Sequence, residues 1–216
     1  FGVEKGVNLG IVLDGSESMA ATDYKPTRLE AAKNAINSIV TKISQKNNVG
    51  VVLFETGAGT VSYLTPVKEK TINSISSIQQ GTGATAIGDG VSLGIDMVSS
   101  TLDKKRVIIL LSDGIQNSGL VSPEQAIEYA IINNVQIHTI GIGSEKPVYL
   151  RDDIYGEAQY AELDETTLRN ISESTGGNYF KSVDEQTLNE ILVELSSNME
   201  YETELTTIRD WFIGSA

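Results

Sequence analysis

Val7-Asn8-Leu9-Gly10-Ile11-Val12-Leu13-Asp14-Gly15-Ser16-Glu17-Ser18 is the stretch on which the fold turns. Its first seven residues form an apolar run without the alternation of a half-exposed strand. That pattern suits a strand buried on both faces, as in a parallel sheet. The run stops at an aspartate and a Gly/Ser loop. Beyond the loop, residues 28–44 carry Leu29, Ala32, Ala35, Ile36, Ile39, Val40 and Ile43 on one helical stripe, and Asn47-Asn48 stops it. Residues 49–54 read as a second buried strand. Residues 60–64, after the 57–59 turn, read as a short strand able to hairpin back onto it.

The same alternation continues to the end of the chain. Residues 66–78 form a modest helix, a Gly-rich segment spans 81–90, and an apolar helix spans 88–98. Residues 106–111 (RVIILL) are the strongest strand and end in Ser112-Asp113-Gly114. Ser122, Pro123 and Gln125 make a helix start, with Gln125 at the capping-box position, and that helix runs to about Asn133. Residues 135–140 form a strand, 146–162 a polar surface loop, 164–174 a helix, 178–181 a short strand and 184–199 an amphipathic helix. Residues 200–216 are a tail with no clear end signal. The expected fold is α/β and doubly wound. Its central sheet is mostly parallel with one short antiparallel edge strand, and helices cover both faces. The expected organisation is a single domain over 1–216 with its core at about 7–199. Ligands of such sheets bind at the carboxyl ends of the strands, where strand order reverses. Asp14 and Asp113 each end a strong strand at that edge.

The 216 residues suit one such domain, and 40% are apolar. With 16 basic and 29 acidic residues the formal charge is −13, which repels phosphate backbones and disfavours nucleic acid and anionic membrane as partners. The absence of cysteine excludes disulfides, thiolate catalysis and Cys-ligated metals. No stretch approaches the roughly 20 apolar residues of a membrane-spanning helix. The start at Phe1 rather than Met suggests an excised or processed segment.

Asp14, Ser16 and Ser18 alternate along one loop, so a single curve can aim all three at a common point. Two hydroxyls and a carboxylate are hard oxygen donors of the kind magnesium, manganese and calcium take. The string alone is weak evidence, because turns and helix caps use the same residues. Two further segments strengthen it: Thr85 in the Gly-rich loop ahead of a helix, and Asp113 after the strongest strand.

With these three loops in order, the chain resembles a von Willebrand factor A domain with a metal-ion-dependent adhesion site, over about residues 7–199. The strings at 23–33 (DYKPTRLEAAK) and 85–90 (TAIGDG) are similar to prokaryotic members of the Bat aerotolerance type. The resemblance implies that Ser16, Ser18 and Thr85 supply hydroxyl oxygens to Mg2+ or Mn2+, with Ca2+ also admissible. It implies that Asp14 and Asp113 act mainly through coordinated waters and hydrogen bonds. It implies a non-enzymatic module that engages a protein partner presenting an acidic residue, with no nucleic acid, no small-molecule substrate and no membrane insertion by this segment. The implied location is extracytoplasmic, anchored by segments outside this chain. The alternative is a scaffold domain whose metal only braces the loops. One position departs from the family: the fourth residue of the first loop, commonly glycine, is Glu17. Its carboxylate can point outward, raise metal affinity, or repel a partner's carboxylate.

Other chemistries fit less well. Residues 81–86 match a dinucleotide-binding glycine pattern, but 71–80 do not read as the strand it needs. No P-loop is present, and Asp14 lacks the second acid, two residues on, of phosphate-transferring aspartate enzymes. A Ser–His–acid hydrolase would need His138, which lies in an apolar strand and reads as structural, and the nucleophile elbow is absent. Asp89 reads as a brace, and Glu4, Glu55, Asp152, Asp153 and Glu157 as solvated groups. The sequon at Asn170 falls within a helix.

Overall fold

In the computed structural model of the chain, residues 6–144 and 146–213 are described, with side chains as far as Glu200. The elements run β1 (Val7–Asp14), a 3-10 turn (Glu17–Ala20), α1 (Arg28–Val40), β2 (Asn48–Phe54), β3 (Ala58–Thr65), α2 (Lys68–Ser76) and α3 (Ile87–Val98). They continue with β4 (Lys105–Ser112), α4 (Pro123–Ile132), β5 (Val135–Ile142), β6 (Val148–Asp152), β7 (Ala158–Ala161), α5 (Glu165–Ser174), β8 (Tyr179–Ser182) and α6 (Glu185–Ile213).

β1 is buried along its whole length because it lies between two parallel neighbours, β2 and β4, and beneath helices on both faces. Leu9, Ile11 and Leu13 meet Ile36 and Ile39 of α1 and Leu188, Leu192 and Leu195 of α6. On the other face Val12 joins Val52, Ile108 and Leu110 beneath Ile87, Val91 and Ile95 of α3, with Ala126 of α4 and Leu168 of α5 in the same cluster. Each such aliphatic side chain contributes about 1.5–3 kcal/mol when fully buried. The approach of α3 is close: a Cβ on Gly94 would sit 2.6 Å from Val12 Cγ2. That contact sets the helix directly over β1 and its loop.

The six-stranded sheet has the order β3-β2-β1-β4-β5-β8, with β3 antiparallel at one edge. Strands are laid outward from β1 to β3, after which the chain returns to start again at β4. The order therefore reverses between β1 and β4, and the loops after these two strands open side by side. The fold class expected from the sequence is the one observed.

Two segments differ from expectation. Residues 146–162, read as a surface loop, contain the antiparallel hairpin β6–β7. Asp153 builds its turn by accepting the N–H groups of Tyr155 and Glu157, so it is not merely a solvated acid. The last helix does not stop at 199. Its backbone continues to Ile213, because residues 200–213 contain neither glycine nor proline to break it.

At the opposite end of the sheet from these loops, the chain enters and leaves the fold at one place. Gly6 packs against the backbone of Lys46, and Val7 N–H donates to Asn47 Oδ1. Glu200 of α6 accepts from Ser44 N–H and Asn47 Nδ2. Among the described residues no helix is long and apolar enough to cross a membrane.

Candidate metal centre

Asp14, the last residue of β1, is fully buried, and both of its carboxylate oxygens have partners. Oδ1 accepts from Ser16 N–H at 2.9 Å, and Oδ2 accepts from Ser112 Oγ at 2.6 Å. The first bond curls the loop, and the second ties the end of β1 to the end of β4. Ser16 and Ser18 are thereby brought together, with their hydroxyl oxygens 3.3 Å apart.

Asp113, just past β4, is also fully buried. Its Oδ1 accepts from Ile115 N–H at 3.3 Å, whereas its Oδ2 has no hydrogen-bond partner. The next residue, Gly114, has φ +82, and a Cβ there would lie 2.2 Å from Asp164 O. Only glycine takes that turn without strain. Burial raises both acids above the usual carboxylate range, and the Asp14 charge pushes Asp113 further.

Arg28 is the cation that the two acids face. It is fully buried, donates to Asp23 through Nε and Nη2 at 2.8 and 2.7 Å, and brings Nη1 to 3.8 Å from Asp113 Oδ2. The first residue of a helix is an unfavourable place for a positive charge, since the helix dipole repels it. Arg28 stands there because the acids behind it hold it.

Thr85 is 4% exposed and sits in the loop before α3. Its N–H donates to Asn117 Oδ1 at 2.7 Å, and its carbonyl accepts from the N–H groups of Asn117 and Ser118. Its loop is joined to the first one by Glu17 N–H to Gly83 O at 3.1 Å and Gly81 N–H to Gly15 O at 3.2 Å. Glu55, read as a solvated group, instead accepts from Gly83 N–H through its side chain and from Ala86 N–H through its carbonyl. Asp89 braces, as expected: its Oδ1 accepts from Leu120 N–H at 2.9 Å and Val121 N–H at 2.8 Å. Asp89→Ala should cost about 1–2 kcal/mol, since it strands two loop donors. Urea unfolding would read the loss, and an unchanged midpoint would remove Asp89 from the loop's support.

The Glu17 carboxylate forms a two-point ion pair with Arg151 of β6, through Arg151 Nε and, at 3.2 Å, Nη2. The hairpin is thus drawn over the site. Between it and the loops lies a cleft of about 310 Å³, lined by Ser18, Thr85, Asn117, Leu150, Gln159 and Tyr160 among others. Among the described residues no three His, Cys, Asp or Glu side chains gather as a ligand set. What converges is hydroxyl oxygen backed by two buried carboxylates, a donor set that suits a hard cation.

The profile of the von Willebrand factor type A domain matches residues 9–116, half of the chain. The chain belongs to the von Willebrand factor type A domain family. This A domain is 32% identical over 189 residues to an uncharacterized protein of Borreliella burgdorferi, an alignment covering 83% of the chain and 55% of that relative. The chain spans a little over half the length of the curated relatives it matches. Among solved structures it is similar to an aerotolerance-related membrane protein of Bacteroides fragilis, with a TM-score of 0.82 and 24% identity over 91% of this chain and 100% of that one. It is also similar to the conserved hypothetical protein BatB of Bacteroides thetaiotaomicron, with a TM-score of 0.79, 26% identity and the same coverages.

In the A domain Asp14 and Ser112 join the ends of β1 and β4, and Ser16 and Ser18 stand side by side in the first loop. Asp113 is close enough to feel the Asp14 charge, and Thr85 lines the same cleft as Ser18. Sequence reasoning missed Ser112, Arg28, Asn117 and Arg151, whose roles depend on partners distant in the chain. The competing motifs lose their context. Residues 81–86 follow a helix and an irregular segment rather than a strand. His138 lies within β5, where its Nδ1 accepts from Asn178 N–H at 3.1 Å.

Proposed function

We propose that this A domain holds one Mg2+ or Mn2+ ion at the carboxyl ends of β1 and β4 and uses it to bind a protein partner. Ca2+ is a third candidate. Ser16, Ser18 and Thr85 supply hydroxyl oxygens, and Asp14 and Asp113 hold the ion through waters and hydrogen bonds. The single observation behind this reading is Asp113 Oδ2, a buried carboxylate oxygen without a hydrogen-bond partner, beside a second buried acid and a pair of touching hydroxyls. Buried polar atoms left unmatched are rare in native structures, and a bound ion or water is one explanation for them; here Arg28 Nη1, 3.8 Å away, is unmatched too. The neutral hydroxyls leave an ion's charge incompletely balanced, so a partner's carboxylate completes the shell. In this reading the domain is a binding module rather than an enzyme, and His138 is engaged within the fold by Asn178 N–H.

In the second reading the ion only braces the loops. The direct hydrogen bonds among the three loops weigh against it, because they already fix the geometry. An extracytoplasmic location, with anchoring by other segments, is part of the proposed reading; the Bacteroides fragilis protein of similar fold is described as a membrane protein.

Isothermal titration with Mg2+ and Mn2+ tests the site. Wild type should bind one ion, and Ser16→Ala should bind about tenfold more weakly, as expected for a lost ligand. Ser16 N–H keeps its bond to Asp14 in that variant, so the fold should be unchanged in circular dichroism. No binding by wild type, or equal binding by both proteins, would sink the assignment. Partner capture that vanishes in chelator separates adhesion from bracing.

A further inference from the structure

The hairpin over the cleft is built for contact rather than for packing. Tyr149 and Tyr160 are each 53% exposed and meet edge to face with ring centroids 6.1 Å apart. Ile154 and Tyr155 at the tip are 89% and 83% exposed. Large apolar groups gathered on one exposed element mark an interaction surface, and aromatic residues are enriched where partners dock. Leu150 and Tyr160 line the same cleft as Ser18 and Thr85. Arg151 ties the hairpin to the first loop through Glu17.

We propose that the β6–β7 hairpin is the specificity element of this A domain, and that it reads a protein loop in which a carboxylate stands next to a bulky apolar residue. The inference rests on the metal-dependent reading above: the carboxylate enters the end of the cleft that holds Ser18 and Thr85. Its apolar neighbour packs on Leu150 and Tyr160. Charge selects the rest of the partner. Asp152, Asp153 and Glu157 surround the hairpin turn, so a uniformly acidic ligand is repelled and a single carboxylate among neutral or basic residues is favoured. Glu17 also lines the cleft, and its ion pair with Arg151 offsets its charge toward the incoming acid.

The test is a displayed random-peptide library panned on the immobilised domain, once in Mg2+ and once in chelator. The expected winners carry Asp or Glu beside Phe, Tyr, Trp, Leu or Ile. Such a peptide should bind Tyr160→Ala at least tenfold more weakly than wild type. Arg151→Ala, which cuts the hairpin's tie to the loop, should weaken it in the same direction. Mn2+ affinity measured without peptide should stay within twofold of wild type in Tyr160→Ala. The proposal is overturned if no peptide is enriched, if winners lack the apolar neighbour, or if both variants bind them as tightly as wild type. Winners that depend on Tyr160 but bind equally in chelator support the hairpin's role while counting against the metal reading.

Discussion

Arg28→Met is expected to destabilise the A domain by about 3–5 kcal/mol, the usual cost of removing one partner from a buried ion pair. Methionine matches much of the side chain's length, so packing changes little and the loss is electrostatic. Arg28 is fully buried, neutralises Asp23 through two hydrogen bonds and is the cation facing Asp113. Without it the buried Asp113 and Asp14 and the partly exposed Asp23 remain as acids around an empty charge position. In a protein of this size the loss corresponds to roughly a 10 °C drop in Tm. The acid side of the stability profile changes too. Burial alone would raise Asp23, but hydrogen bonding and charge from Arg28 more than offset it and hold the carboxyl below its ordinary value of 3.8. A lowered folded pKa supplies stability that is present above the unfolded value and lost as pH falls through the folded one. The variant should lack that acid-limb loss. A change below about 1 kcal/mol in urea unfolding would show that Arg28 is not the counter-ion of the site.

Asp113→Asn should separate affinity from stability. Divalent-ion affinity should fall about a hundredfold, because the substitution removes one of two charges behind the ion. In chelator the same variant should melt no lower than wild type. Asparagine keeps the oxygen that accepts Ile115 N–H, while the buried charge and its repulsion with Asp14 disappear. Arg28 retains both bonds to Asp23. Addition of Mg2+ should then raise the Tm of wild type but not of the variant, as mass action requires when only one of them binds. A variant that melts well below wild type in chelator would mean that Asp113 serves the fold rather than an ion.

The parts of this molecule legible in the sequence are those whose physics is local. β1 and β4 declare themselves because strands buried on both faces must be continuously apolar. Asp14, Ser16 and Ser18 are read together because they lie within one loop. Thr85 and Asp113 join them because each follows or precedes a strong element. The hairpin β6–β7 is illegible for the complementary reason. Its strands have five and four residues, and most of their side chains face solvent, so no hydrophobic period forms. Glu17 shows the limit most clearly. The sequence leaves three fates open for its carboxylate, and the outcome is set by Arg151, 134 positions along the chain. Arg28 is hidden in the same way, since the acids that justify it come from other elements.

The common meeting point of Gly6, Asn47 and Glu200 has a mechanical consequence. Chain joined through either side of the fold is drawn off the pole opposite the cleft. A pull on such a connection is borne first by the base of β1 and by α6, at the end of the sheet away from the loops that carry Ser16, Thr85 and Asp113. A partner held at the cleft and a tether held at the far pole would therefore load the domain along its strands from end to end. In that direction β1 is clamped by a full ladder of hydrogen bonds on each side.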